Sequence, residues 1–513
     1  MATTSEEWLK KFKAAEKDLY KSLAQKDPTF AEIDTLLTRI RNAFENLPIS
    51  IPYDAETRLW DAHSKINGRY RKQLSKFHGE EGKRRPVEKR KLEKHYVDFI
   101  KSSMRFYRGH IQRLASQHPA IKDLAQVAGK LNMDTTTIDE VSVPTEEVKK
   151  ATLQSCHATL IRLGDLSRYR ETELKSRERN WGPATGYYEL ALSINKESGL
   201  PHNQMAVIAL ADGNHLRALY RLYRAQAVKS PHPSARNNLD IEFSKIIHLK
   251  EKNELFSQGG IRGGVSAERT VEAWFLYFHA RCDKGAQWAE YEDAENELLS
   301  QLSVLLKDRP VEGQLERSTS LLQRVTLINI AAEYVARQRA AEQKDNEGFL
   351  AAYRFYEQLN LKTFSNLLHI MTGELAEKGE LTSVLRRILP ALRNYSGWLL
   401  TNVSFLVAQH DDPFLGMHIK FFWTTYAKAL TSLAATFPVE NLPAPISYML
   451  SEDEDTIGFV PLYNDDTSRR YYGVDDELKP CHRKEHIPTE APHLEMLFRE
   501  STEHVATSTQ STA

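Results

Sequence analysis

The chain has little of what locks, breaks or uniformly charges a fold. Only three cysteines, Cys156, Cys282 and Cys481, occur in 513 residues. They stand too far apart for a disulfide framework or an ordinary zinc spacing, and they fit a reducing compartment. Glycine (23) and proline (20) are scarce, together about 8 % against roughly 12 % in average usage, so helices are seldom interrupted. Neither charge sign dominates, with Lys+Arg and Asp+Glu both 69. That excludes a uniformly basic nucleic-acid coat and an acidic disordered chain, and it makes any electrostatic role local. Long apolar runs are also missing. The most apolar stretch, around Gly397–Ala408, falls far short of the about 18–20 residues a membrane helix needs, so no membrane partner is expected. The N-terminus carries Glu6, Glu7 and Glu16 and no apolar core, which reads as an amphipathic helix rather than a signal or transit peptide.

Enzyme signatures are absent too. There is no GxxxxGKS/T phosphate loop, no HExxH and no GxSxG, so no catalytic residue, metal or cofactor is assigned. The cluster Gly259–Gly264 lacks the following lysine and preceding strand of a phosphate loop and reads as a loop near a domain boundary. The acidic run Glu452–Asp455 lacks the glycine and spacing of a calcium loop and reads as a solvated loop.

What is present is helical periodicity almost everywhere, which predicts an all-α chain. Helices are expected near Glu6–Leu23, Thr29–Glu45 and Ala55–Phe77, then a charged segment His78–Lys94 and a long helix to about Gln117. Met133–Pro144 reads as a loop that ends where Thr145 caps a helix over Glu146–Leu174. From Trp181 to Leu239 the pattern is tetratricopeptide-like, with small residues Ala206, Ala218 and Ala225 and the terminal Pro231 near their repeat positions. One irregular repeat cannot stand alone and is expected to pack on the helices before it. Antiparallel hairpins are expected from Ala267 to Phe437, including separate helices Leu381–Arg393 and Trp398–His410, and Ser501–Ala513 is Ser/Thr-rich and expected to be disordered.

Positive charge is concentrated between Arg69 and Lys94, where eleven Lys/Arg face four Glu. A solvated turn, a nuclear import signal and a nucleic-acid contact are the readings of this segment. At about 100° per residue, Lys65, Arg69, Lys72 and Lys76 share one arc beside the apolar stripe Leu59, Ala62, Ile66, Tyr70 and Phe77. Such a row suits a phosphate dianion, although a solvated basic face has the same spacing. The run LGDLSRYR, Leu163–Arg170, offers Arg168 and Arg170 for bidentate contact and Gly164 for close helix approach; an Asp165–Arg168 pair at i, i+3 is the structural alternative.

Leu59-Trp60 followed by Lys65, LGDLSRYR, YYELA at Tyr187–Ala191, GLPHNQMAVIA at Gly199–Ala209, AVKSPHPSARNNL at Ala227–Leu239 and EDTIGFVPL at Glu454–Leu462 closely resemble one family. It unites the telomerase-associated Est proteins with the Smg adaptors of nonsense-mediated mRNA decay. His202 and Met205 stand where the family has Tyr and Leu. The resemblance implies a 14-3-3-like helical bundle with tetratricopeptide-like helices over residues 1–250, a helical-hairpin domain of Est DNA/RNA-binding type over 251–465, and an irregular or disordered tail over 466–513. It implies a phosphoserine or phosphothreonine groove built from Lys65, Arg168 and Tyr169, with Lys72 as the second basic groove residue. It further implies a non-enzymatic adaptor, in nucleus and cytoplasm, that binds the phosphorylated RNA helicase of the decay pathway and recruits decay or phosphatase factors, with a paralogous adaptor as a further partner. The alternative is a telomerase-associated subunit that binds telomerase RNA or single-stranded DNA. No PIN-type nuclease domain is expected after Leu462. On the inference that Lys65 and Arg168 are both groove-exposed, reversing both charges is expected to spare the fold.

Overall fold

Several helices begin where a side-chain oxygen takes up an orphan backbone N–H. The Thr29 hydroxyl accepts from Glu32 N (3.2 Å), Asn214 Oδ1 from Arg217 N (3.0 Å) and Thr382 from Leu385 N (3.2 Å). The computed structural model describes residues 5–25, 29–47, 54–77, 80–135, 144–174, 178–256, 266–286, 288–307, 314–379, 381–438, 448–462 and 479–480. The Gly259–Gly264 cluster, Cys481, the Ser501–Ala513 stretch and most of the Met133–Pro144 loop lie outside them. The chain is all-α as its periodicity predicts; among the described residues strand pairing is limited to Tyr448–Met449 with Lys479–Pro480 and one Ser198–Ser230 bridge. Two compact units are present, residues 1–196 and 197–513.

The first unit contains α1 (Ser5–Leu23), α2 (Phe30–Glu45), α3 (Asp54–Ser75), α4 (Glu80–Arg84), α5 (Pro86–Gln117), α6 (Lys122–Lys130), α7 (Glu146–Glu173) and α8 (Gly182–Ile194). Leu59, Ala62, Ile66 and Tyr70 of the α3 stripe are buried. α7 packs against α3, α5 and α8, which explains its unbroken buried run from Cys156 to Ser167. Gly164 is the close contact that its sequence position suggests: a Cβ there would lie 2.7 Å from Cδ1 of Tyr188 on α8. Gly164→Ala is therefore expected to lower stability by about 1–3 kcal/mol through overpacking, read as a reduced Tm.

Two charged groups buried inside this unit are held by hydrogen bonds. Arg41 hydrogen-bonds Ser102 and Ser103 (2.7 Å each) and meets His63 Nε2. Burial drops the Arg41 pKa to about 10. The buried Glu56 carboxylate accepts from Arg162 (3.0 Å) and Ser155 (2.9 Å).

The second unit contains α9 (Gly199–Ala211), α10 (His215–Gln226), α11 (Ser234–Glu251), α12 (Ala267–Cys282), α13 (Tyr291–Lys307), α14 (Gln314–Glu342), α15 (Glu347–Lys378), α16 (Ser383–Ala408), α17 (Gly416–Thr436) and α18 (Ser451–Thr456). The tetratricopeptide-like helices α9–α11 pack on helices that follow them, α10 on α14 and α11 on α12. The expectation that the Trp181–Leu239 region leans on preceding helices holds for its first helix, α8, which packs on α7. For α9–α11 it is corrected, since their apolar residues Leu219, Leu222, Tyr223, Phe243 and Ile246 share one core with Val271, Phe275 and Ile328. A second correction concerns α16, a single helix where two were expected. Pro390 sits inside it, and burial of Ile388, Leu389, Ala391, Leu392 and Tyr395 on α14 and α15 carries the helix through the missing N–H.

The third correction is at the acidic run, which forms most of α18 instead of a solvated loop. Glu452 is 2 % exposed and pairs with the equally buried Arg393 (3.5 Å), whose Nη2 also meets Asp453 (2.7 Å). The following turn is tied down as well. Arg224 of α10 donates to the carbonyls of Asp455 and Ile457 and lies 4.9 Å from the ring centroid of Phe459, which is fully buried. Val460 N donates to Ala227 O (3.0 Å) and the Thr401 hydroxyl to Pro461 O (3.0 Å). Residues 450–462 are thus a strap across α10 and α16.

Glu357 of α15 is 1 % exposed, with the Tyr353 phenol and the Glu333 carboxylate beside it. Burial and the nearby Glu333 carboxylate push its pKa up from 4.5 to about 8. The folded state keeps a proton that the unfolded chain releases, so this group's stability is fully present below pH 4.5 and is lost as pH rises to about 8. Glu357→Gln is expected to raise Tm over wild type at pH 8, with the gain shrinking by pH 5 in thermal melts.

Candidate functional site

α3 carries the basic row, and the structure shows what each member touches. The Lys65 ammonium, otherwise exposed, sits 3.6 Å above the Tyr20 ring of α1. Burial and the Glu16 and Asp61 carboxylates push the Tyr20 phenol up to about 12. Arg69 Nη1 donates to the Leu23 carbonyl at the end of α1 (3.4 Å). Lys72 and Lys76 remain exposed one and two turns further on. This row therefore runs along the α1 edge of α3.

α7 presents the other half. Arg168 Nη2 donates to Asp165 Oδ1 (3.0 Å), Tyr188 OH donates to the same oxygen (2.7 Å), and Arg168 Nε reaches Tyr188 OH (3.4 Å). Burial by itself lowers the Arg168 pKa, but the Tyr188 and Asp165 oxygens outweigh it and the guanidinium is held charged. The Arg168–Asp165 pair offered as the structural alternative is therefore present, and it aims the guanidinium rather than freeing it. Arg168 is only 14 % exposed, so the inference that it is groove-exposed like Lys65 does not hold. Its guanidinium also lies 4.7 Å from the Tyr169 ring centroid.

A residue that the spacing argument did not select completes this cluster. Arg71, six positions and so about 120° around α3 from Lys65, faces α7. Its Nε donates to Glu173 Oε1 (2.7 Å), and its guanidinium carbon is 6.0 Å from the Tyr169 centroid. Burial is the first cause of the raised pKa of the Tyr96 phenol on α5, and Glu173, Arg71, Tyr169 and Arg168 all act on it as well, which places the four groups in one locality. The structure thus brings together Arg168, Tyr169 and Arg71, and sets Lys65 against α1. Arg71 was legible as charge within the basic segment; its position was not, because it depends on how α3 meets α7. In the rest of that segment Arg85 pairs with Glu88 and Lys89 with Glu93 (3.8 Å), while Arg84, Arg90 and Lys91 are exposed.

Among the described residues no group of His, Cys, Asp and Glu is placed to hold a metal ion, and no helix is long and apolar enough to cross a membrane.

These features define an all-α protein of the 14-3-3-like and tetratricopeptide-like type. Family models match most of the chain: "Telomerase activating protein Est1" over residues 54–174 and "Est1 DNA/RNA binding domain" over residues 184–466. The chain belongs to this family of Est1 proteins and Smg decay factors. Among curated relatives, nonsense-mediated mRNA decay factor SMG7 of Arabidopsis thaliana is 44 % identical over 108 residues, 21 % of this chain but 10 % of that protein. The shared stretch is thus a small part of the relative's length. Two solved structures share the fold at 14 % identity. One is of Est1 and Cdc13, with a TM-score of 0.71 over 96 % of this chain and 95 % of that one. The other is the C. elegans SMG5–SMG7 complex, with a TM-score of 0.50 over 96 % and 99 %.

Proposed function

We propose that this chain is a non-enzymatic adaptor of nonsense-mediated mRNA decay whose first unit binds a phosphoserine or phosphothreonine peptide of an RNA helicase. The observation that supports the reading is the Arg168–Tyr169–Arg71 cluster. Two planar guanidiniums against one tyrosine ring offer the forked donors and hydroxyl that a phosphate dianion accepts from. Lys65 and Lys72 on the neighbouring edge of α3 supply further positive charge for the peptide that carries it. The resemblance to SMG7 lends the pathway. On this reading residues 1–250 recognise the phosphopeptide, 251–465 present surfaces to decay or phosphatase factors and a paralogous adaptor, and the protein works in nucleus and cytoplasm.

A second reading, a telomerase-associated subunit that binds single-stranded DNA or RNA, is favoured by the match of residues 184–466 to an Est1 DNA/RNA binding domain. Fluorescence anisotropy distinguishes them. Phosphorylated and unphosphorylated helicase peptides and a single-stranded telomeric oligonucleotide are titrated side by side at several salt concentrations. The adaptor reading expects tight binding of the phosphorylated peptide alone; tight, strongly salt-dependent oligonucleotide binding with no preference for the phosphorylated peptide would favour the second.

A further inference from the structure

The cluster where α3 meets α7 holds two cations, and each already has an anion. Arg168 is bound to Asp165, whose oxygen is shared with Tyr188. Arg71 is bound to Glu173. The two pairs differ in their surroundings. Asp165 is 7 % and Arg168 14 % exposed by side chain, on one helix three residues apart, so that pair is built in. Glu173 is 12 % exposed but Arg71 is 50 % exposed, and the bond joins two helices 102 residues apart in sequence. Arg71 is a half-solvated arm with a carboxylate at its Nε, the nitrogen at the base of the fork.

We propose that Arg71 is a phosphate ligand of this site and that Glu173 is its resident competitor, a carboxylate that an incoming phosphate must displace or outbid. The inference rests on the phosphopeptide reading above and deepens it. Tyr169 is the common neighbour: one guanidinium lies 4.7 Å and the other 6.0 Å from its ring centroid, so a phosphate beside the tyrosine hydroxyl has Arg168 and Arg71 on hand. A phosphate dianion carries about −1.5 to −2 charge at pH 7 and three acceptor oxygens, more than the single charge and two oxygens of Glu173. A peptide glutamate has no such advantage, since it offers Arg71 only what Glu173 already gives. The site therefore selects the dianion over a carboxylate mimic, and Glu173 sets that selectivity.

The test uses the full chain and three peptides of one sequence that carry phosphoserine, serine or glutamate at the same position, titrated by fluorescence anisotropy. Glu173→Gln frees Arg71 and is expected to tighten the phosphoserine peptide several-fold and to bring the glutamate peptide into measurable binding. Arg71→Gln is expected to weaken the phosphoserine peptide by about tenfold or more, the scale of one charge-assisted hydrogen bond. Arg71→Lys, which keeps the charge and loses the fork, is expected to fall between. In the Arg71→Gln background Glu173→Gln is expected to change nothing, because its effect passes through Arg71. Thermal melts confirm that each variant is folded, and the half-exposed Arg71 position keeps the test open should Glu173→Gln lower stability. Unchanged phosphoserine affinity in folded Arg71→Gln, or weaker binding in folded Glu173→Gln, overturns the inference. If wild type still prefers phosphoserine over serine and loses that preference on Lys65→Glu, the phosphopeptide reading stands without it. A wild type that treats the three peptides alike ends both.

Discussion

Lys65→Glu combined with Arg168→Gln should reduce binding of a phosphorylated peptide by at least about a hundredfold, the scale of two charge-assisted hydrogen bonds of roughly 1.5–3 kcal/mol each. The two changes act differently. Lys65 is exposed over Tyr20, so reversing its charge puts repulsion near the dianion and is expected to shift stability by no more than about 0.5 kcal/mol, the usual range for such a surface change. Arg168 is mostly buried beside Asp165. Glutamate there would press two carboxylates together, and a lost binding signal would then report a damaged bundle. Glutamine removes the cation and keeps N–H donors for Asp165 and Tyr188. Anisotropy reads the binding and circular dichroism the fold. Full affinity in a folded double variant would mean that the basic row is a solvated face, as its helical spacing alone allows.

The largest stability effect is expected at the strap. Arg393→Met should cost about 3–5 kcal/mol, the typical penalty when one member of a buried ion pair is removed and the other keeps its charge. Glu452 is 2 % exposed and depends on that guanidinium, with Asp453 beside it. A urea titration should show a lower midpoint, and limited proteolysis should cut first within residues 450–462. Adding Glu452→Gln and Asp453→Asn should restore a good part of the loss, since no buried charge is then stranded. If the triple variant is no better than Arg393→Met, then lost packing of the arginine stem, and not its charge, holds the strap.

Much of this architecture is readable from residue order. The cap at Thr145, the stripe on α3 from Leu59 to Tyr70 and the small residue at Gly164 each follow from local rules, and each lies where those rules put it. Local rules fail where distant packing overrides them. Pro390 marks a helix end by propensity, yet α16 runs through it because both flanks are buried. Glu452 reads as solvated until Arg393, 59 residues earlier, is seen to wait for it. Arg71 and Glu173 are two ordinary charges in sequence; only the meeting of α3 and α7 makes them a pair against Tyr169. Periodicity identifies which face of a helix is buried. It does not identify which other helix is waiting there.

The strap also sets an order of events for the second unit. Arg224 is bonded to a carbonyl 233 residues further along the chain, and Ala227 to the amide of Val460. Closing a loop of that length costs entropy before any contact repays it. On that ground the local helical hairpins between them are expected to form first and Phe459 to dock last, which pulsed hydrogen exchange would read as late protection of the Val460 amide. On the ribosome the same logic is temporal. α10, whose Arg224 meets the Phe459 ring, is synthesised 235 residues before it, so the strap can dock only after the helices between them have been made.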